Sequence, residues 1–408
     1  MKACRRSDAA QLNHRHPEEE SPMIWTSQIR AIALALAVAL IGNCGSTPPI
    51  AQHTTAQIHS PTVDSGTLNN APYRVDIPSN WNGELVMLLH GYEPKGVARA
   101  EPWTQNEATP VFLTQGYAVA QSAYASQGWA VADAVPNNEQ LRAYFSSKYR
   151  KPRRAYLVGF SLGGYVALAS LEQYASHYDG ALSLCGVNVT AARVFDDALT
   201  SLVAFDYFFP VAAKLPSGGL SDPASLPQDQ GAMIEAIETV LVSNEASANI
   251  LSRHAEVPRA RLAGVLSLQY LVLREMKVRA GGLPVDNRAT VYSGFGDDVA
   301  FNKGARRYSG DANAMKYLSE PANFTGRISK PLILQYNNND PTIPKRYNFI
   351  YPALVKAAGH AGQLLVLPPV GDGHCDFAPE QTREAFGKLT SWVNTGRRPA
   401  SPWAGAND

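Results

Sequence analysis

Between Trp81 and Gly186 the chain repeats one pattern, a short run of apolar residues followed by a stretch with helical character. The apolar runs lie in WNGELVMLLHG (81–91), GYAVAQSAY (116–124), RAYLVGFS (154–161) and DGALSLCG (179–186), and helices are expected over Pro136–Lys148 and Leu162–Tyr174. Runs that are apolar throughout, with no alternation of polar residues, suit strands covered on both faces. Strands alternating with helices need crossover connections, so the chain is expected to fold as an α/β protein with a mostly parallel central sheet flanked by helices. Such a sheet places its functional rim at the carboxyl ends of the strands. YRVDIP (73–78) adds an earlier strand with alternating polarity, and the rhythm returns at PLILQYNNNDPTIP (331–344). A helix near 346–358, a strand in GQLLVLPP (362–369) and an amphipathic helix over 379–394 complete it.

Between those two stretches the rhythm stops. Residues 187–329 carry helical spacing, as at Ile234, Ile237, Val240 and Leu241 and at Leu262, Val265, Leu268, Tyr270 and Leu271, with Pro/Gly-rich breaks such as KLPSGGLSDPASLPQ. The expected organisation is a core made of 67–186 and 330–397, interrupted by an α-helical insertion over 187–329. A chain of 408 residues that is 45% hydrophobic can fill such a core, and a formal net charge of +1 argues against a nucleic-acid partner. At the amino end, Arg30 precedes the apolar run Ala31–Ile41, which is too short to span a bilayer and reads as the centre of a secretory signal. Residues 1–44 are therefore expected to be a leader, with Met23 a possible physiological start, and 45–66 a flexible linker. Cys44 is a weak candidate for a lipid anchor, because Asn43 stands where Gly or Ala is usual. The expectation is a secreted or periplasmic protein with no membrane span.

The chemistry concentrates at Gly159-Phe160-Ser161-Leu162-Gly163-Gly164, a G-x-S-x-G pattern between an expected strand and an expected helix. A tight strand-to-helix turn leaves no room for side chains at the flanking positions, and it lifts the Ser161 hydroxyl to the helix amino end. A serine hydroxyl attacks only when a base takes its proton and an acid orients that base. Downstream, Asp340 follows the strand PLILQY and His374 follows LLVLPP, each at a strand end and in the order acid then histidine. Asp340 also fits a turn-forming Asp-Pro, and His374 an ordinary loop residue; the ordered set of three favours a triad. Asp372 and Asp376 are rival acids, but they sit too near His374 in sequence to reach its far nitrogen easily. The backbone N–H groups of Leu162 and Tyr92 are the expected oxyanion donors, with His90-Gly91 marking the turn and His90 not itself catalytic. A histidine base predicts activity that declines in acid. No cofactor or metal pattern is present.

His90-Gly91, Gly159–Gly164, Asp340 and Gly373-His374-Cys375 together resemble the α/β-hydrolase superfamily, over residues 70–397, and more particularly its exported serine esterases with a large cap. The resemblance implies an α/β-hydrolase fold, a helical cap over the site, and cleavage of carboxylic esters through an acyl-enzyme intermediate, on small-molecule or polymeric substrates. A serine peptidase of prolyl-aminopeptidase or oligopeptidase type, a polyester depolymerase and a non-catalytic binding module of the same fold are the alternatives. The superfamily is too broad for the fold to choose a substrate. Cys185 ends a strand beside the nucleophile strand and Cys375 adjoins the candidate base, so a Cys185–Cys375 disulfide is expected, with two buried thiols as the other reading. Tannase-like and feruloyl-esterase-like hydrolases also carry a cysteine after the histidine, but their partner precedes the serine, where this chain has Phe160. FDYFFP (205–210) either lines an apolar pocket or packs the insertion onto the core. Asn188 and Asn323 begin glycosylation sequons.

Overall fold

Eight strands form one sheet: β1 Thr62–Leu68, β2 Ala71–Ile77, β3 Leu85–Leu89, β4 Ala118–Ser122, β5 Ala155–Phe160, β6 Gly180–Leu184, β7 Leu332–Gln335 and β8 Leu364–Val366. Their order is β1-β2-β4-β3-β5-β6-β7-β8, with β1, β2 and β4 joined antiparallel and every other neighbouring pair parallel. This computed structural model describes residues 61–210, 230–320 and 323–400. The leader (1–44), most of the linker and the break at 214–228 lie outside the described residues.

Continuous apolar strands are what a two-faced sheet requires, and β3 shows it. Leu85, Met87 and Leu89 enter the core on one face, and Val86 and Leu88 enter the core on the other. The first face is covered by α2 (Val131–Lys148) and α3 (Leu162–Gln173), the second by α1 (Thr109–Leu113) and the carboxyl-terminal helix Pro379–Thr395, where Phe112 meets Phe386. Helix α2 begins five residues before Pro136 and carries it in its second turn. Proline there removes one backbone donor, but Val131, Ala134 and Val135 are buried and hold the turn to the sheet.

Thr62–Leu68 corrects the linker's far end. It pairs along its length with β2 through a two-residue turn, Asn69-Asn70, both at positive φ (47° and 64°). Asparagine tolerates that conformation, and such turns match strand twist. Asp64 fastens the new strand to α2, accepting from the Tyr144 and Tyr149 hydroxyls at 2.9 Å each and from Lys148 at 2.8 Å.

Between β6 and β7 the described chain runs through six helices, α4 Ala191–Phe208, α5 Gln230–Leu241, α6 Glu245–Ala255, α7 Leu262–Ala280, α8 Asp298–Gly304 and α9 Ala312–Ser319. After β7 comes α10 (Ile350–Ala357), so the last helix is α11. Of the apolar positions read at helical spacing, Ile237 and Leu241 of α5 and Leu262 and Tyr270 of α7 are buried in the same cluster as the α3 face of the sheet, and Ile234, Val240, Val265 and Leu271 pack against it partly buried. No described helix is long and apolar enough to cross a membrane.

Candidate active site

Ser161 sits between β5 and α3 with φ 55° and ψ −120°, a backbone conformation that side chains rarely adopt. The glycines make the turn possible. A Cβ on Gly159 would lie 2.0 Å from the Gly163 carbonyl oxygen, and one on Gly163 would lie 2.1 Å from that of Leu89. The helix must start that close to β3 and β5 for the hydroxyl to stand above the sheet.

Three strand ends then meet. His374, in the loop after β8, lies with Nε2 2.9 Å from the Ser161 Oγ, while its Nδ1 is 2.9 and 3.1 Å from the two carboxylate oxygens of Asp340. Asp340 follows β7 and is nearly buried, its side chain 6% exposed. Its Oδ1 also accepts the backbone N–H groups of Thr342 (2.8 Å) and Ile343 (3.0 Å), which fix the carboxylate from behind. The sequence rivals do not take the place of Asp340 on His374: Asp372 accepts from Asn339, and Asp376 is an exposed residue at the edge of the cavity. A hydroxyl on imidazole on a buried carboxylate can transfer a proton from oxygen to nitrogen while the acid holds the tautomer.

The turn after β3 brings Gly91 and Tyr92 to the same place, with Gly91 packed on the Ser161 side chain. Leu162 is the first residue of α3, so its N–H has no acceptor within the helix. The His90 ring stacks on Tyr124 (centroids 4.0 Å apart) and its Nδ1 lies 2.8 Å from the Gly91 carbonyl oxygen. Burial holds this imidazole below its ordinary pKa.

Cys185 and Cys375 are bonded, with Cα atoms 5.2 Å apart across 190 residues of chain. The bond ties the end of β6 to the residue after His374, and both cysteines stand at positive φ (48° and 58°).

A cavity of about 700 Å³ opens beside the Ser161 hydroxyl, within the usual range for small-molecule sites. The sheet rim contributes Tyr92, Trp129, Phe160 and Phe377, and the opposite wall is the insertion: Val194, Phe195 and Ala198 of α4 with Val265, Leu268 and Val272 of α7. The α7 residues repeat at three and four positions and so share one helix face. One polar atom interrupts that face, the Oε1 of Gln269, which has no hydrogen-bond partner among the described residues. Arg346 is the one lysine or arginine in the described lining, and its charge is met by Asp197 at 3.1 Å and Glu256 at 3.5 Å. The segment 205–210 does not reach the cavity. Tyr207 and Phe208 pack on Phe301 instead, and Phe205 is fully buried, so this cluster joins helices. The sequon residue Asn188 is also internal, accepting from Ser183 (2.9 Å) and donating to the Tyr336 hydroxyl (3.0 Å), which leaves no surface for a glycan. Sequence reading did not single out Trp129 or the α7 face as part of the site. The α7 repeat was visible, but nothing local distinguishes a cavity wall from core.

The sheet order, the elbow and the strand-end placement define an α/β-hydrolase fold. Among solved structures, feruloyl esterase B from Aspergillus oryzae superimposes with a TM-score of 0.50 at 12% identity, covering 82% of this chain and 80% of that one. At that identity the likeness speaks for the fold, and the chain has the fold of the α/β-hydrolase superfamily. Acylaminoacyl peptidase from Pyrococcus horikoshii aligns with a TM-score of 0.44 and 11% identity, over 84% of this chain and 43% of its own. A curated relative, o-phthalyl amidase from Xanthobacter agilis, is 29% identical over 192 residues. That match covers 45% of this chain and spans about two fifths (39%) of the relative's length. No family model matches the chain.

Proposed function

We propose that the protein is a serine hydrolase that cleaves carboxylic esters carrying a bulky, uncharged apolar group. The observation that carries this reading is the 2.9 Å approach of His374 Nε2 to Ser161 Oγ with Asp340 on the other ring nitrogen. His374 takes the hydroxyl proton as Ser161 Oγ attacks the ester carbonyl, and Asp340 holds the resulting imidazolium. The backbone N–H groups of Leu162 and Tyr92 receive the oxyanion. His374 then gives the proton to the leaving alkoxide, and a water molecule repeats the sequence to release the acid. No step calls for a cofactor. The wall of valine, leucine and phenylalanine favours an apolar acyl or alcohol group, and the neutralised Arg346 offers no free cation for an anionic one.

Residues 187–329 act as a cap in this reading, supported by the α4 and α7 side chains that face Ser161 across the cavity. Secretion or periplasmic location is supported by the leader composition and by the disulfide, which suits an oxidising compartment. Amide cleavage is the second reading, favoured by the amidase relative.

Labelling by a fluorophosphonate that is lost in Ser161→Ala tests the nucleophile, and an unlabelled wild-type protein would leave a binding module. A panel of p-nitrophenyl esters of increasing chain length set against acyl p-nitroanilides then separates the readings. Faster turnover of the anilides at matched acyl groups would replace esterase by amidase.

A further inference from the structure

Beneath the cavity, one buried carboxylate joins the insertion to the turn that carries Tyr92. Glu275 lies on α7 three residues beyond Val272, so the helix face that forms the cavity wall continues into it. It is only 8% exposed. The Trp129 backbone N–H donates to both of its oxygens (3.1 and 3.0 Å), the Tyr92 hydroxyl donates to Oε2 (3.2 Å), and Arg279 Nε donates to Oε1 (3.1 Å). The carboxylate rests directly on backbone, since a Cβ on Gly128 would lie 2.1 Å from its Oε1.

The two core segments it grips are also tied to each other. Gly128 donates to the Glu93 carbonyl oxygen (2.7 Å), and the two residues form an antiparallel bridge. Arg279 extends the contact, donating to Ser126 Oγ (3.0 Å) and to the Gln127 carbonyl oxygen (2.5 Å). The Tyr92 turn is therefore fixed at one end by β3 and at the other by an acceptor that belongs to the insertion. Burial, with the Glu275 charge, keeps the Tyr92 hydroxyl protonated and able to donate.

We propose that Glu275 is a positioning residue for the oxyanion turn: through the Tyr92 hydroxyl and the Trp129 backbone it sets where the Tyr92 N–H points. The inference rests on the reading of Ser161 as nucleophile. It gives α7 two tasks, wall and anchor, so that the insertion bears on the rate of the chemical step as well as on substrate choice. Glutamine at 275 would keep the shape but place an N–H₂ among three donors, the Trp129 N–H, the Tyr92 hydroxyl and the Arg279 guanidinium.

The test uses the full chain, with active sites counted by fluorophosphonate labelling. Glu275→Gln should lower kcat per labelled site by about 10- to 100-fold, part of what losing an oxyanion donor outright costs, with KM nearly unchanged. Affinity for a trifluoromethyl ketone, whose hemiketal oxygen occupies the oxyanion position, should fall by a similar factor. Tyr92→Phe keeps the backbone N–H and leaves the carboxylate with its Trp129 and Arg279 partners; it should move both readouts in the same direction. The double variant should lose little more than the worse single one. If Glu275→Gln does not fold, Tyr92→Phe carries the test alone. A lower melting temperature with unchanged kcat per site and unchanged ketone affinity would overturn the inference, because a purely structural anchor predicts that pattern. Failure of the wild-type protein to label would instead remove the nucleophile reading itself, so the two failures are distinguishable.

Discussion

Ser161 and His374 are 213 residues apart and Asp340 and His374 are 34 apart, yet all three stand at carboxyl ends of parallel strands in one sheet. Among the described residues the helical insertion faces them with six aliphatic and aromatic side chains from α4 and α7, an unpartnered amide oxygen on Gln269, and Asp197, which is paired with Arg346. The rim is held by hydrogen bonds, a disulfide and strained backbone, and it is specific about atoms. The wall is held by side-chain burial and is specific about volume. Substitutions on the two sides should accordingly differ in kind, with rim changes slowing every substrate alike and wall changes sorting substrates by size.

The sharpest way to break that division is Asp340→Asn. The amide can still accept from Thr342 and Ile343 but cannot hold the imidazolium, so kcat should fall by about 10⁴-fold for short and bulky esters equally. A fall confined to bulky esters would assign Asp340 to the wall. Replacing both Cys185 and Cys375 by alanine should come next. Closing so long a loop is expected to contribute about 2–5 kcal/mol to stability, to be read from denaturant unfolding. Since the bond holds the residue beside His374, kcat should drop for every ester as well, and a drop that depends on acyl length would count against placing the bond on the rim.

The same division explains what could be read from sequence. Strands buried on both faces announce themselves as unbroken apolar runs, and the order serine, aspartate, histidine at strand ends is a local signal repeated three times. The first strand, by contrast, is mostly solvent-exposed, and TVDSGTL has no apolar run. The Asn69-Asn70 pair is a local signal for a tight turn, but without an apolar run before it nothing marks the strand it joins. Glu275 was not legible at all. Its partners Tyr92 and Trp129 lie 183 and 146 residues away, and a glutamate on a helix reads as surface until the backbone packed against it is known. The Phe205–Pro210 cluster left two readings open because aromatic packing and an aromatic pocket have the same composition.

On the wall, Leu268→Trp should narrow the cavity. It is expected to lower kcat/KM for a bulky aromatic ester by about 10- to 100-fold while leaving an acetate ester within about twofold. Equal losses on both would mean that α7 acts mainly through the Tyr92 turn, and would tie the wall more closely to the rim than the division allows.

The smallest effect concerns two half-buried histidines, one on each side. Burial holds His90 on the rim and His254 of α6 below the ordinary imidazole range; for His254 the Arg346 charge adds to the effect, and its ring packs on Phe295 (4.4 Å). A group depressed in this way binds fewer protons folded than unfolded. Its contribution to stability is therefore full above the unfolded value of about 6.5 and is lost as the pH falls from there through the lower folded value. Asp196 and Asp206, shifted upward by partial desolvation, act in the opposite sense, favouring the folded state as pH falls, but they are common to all variants and cancel in the comparison. Between about pH 7.5 and 5.5 the wild-type melting temperature should decline, and His90→Phe and His254→Phe should each flatten the decline. Only the first should also reduce kcat, because His90 Nδ1 meets the Gly91 carbonyl oxygen next to Ser161 whereas the His254 ring packs on Phe295 within the insertion. If both substitutions reduced kcat equally, the insertion would have to reach the rim by a route other than Glu275.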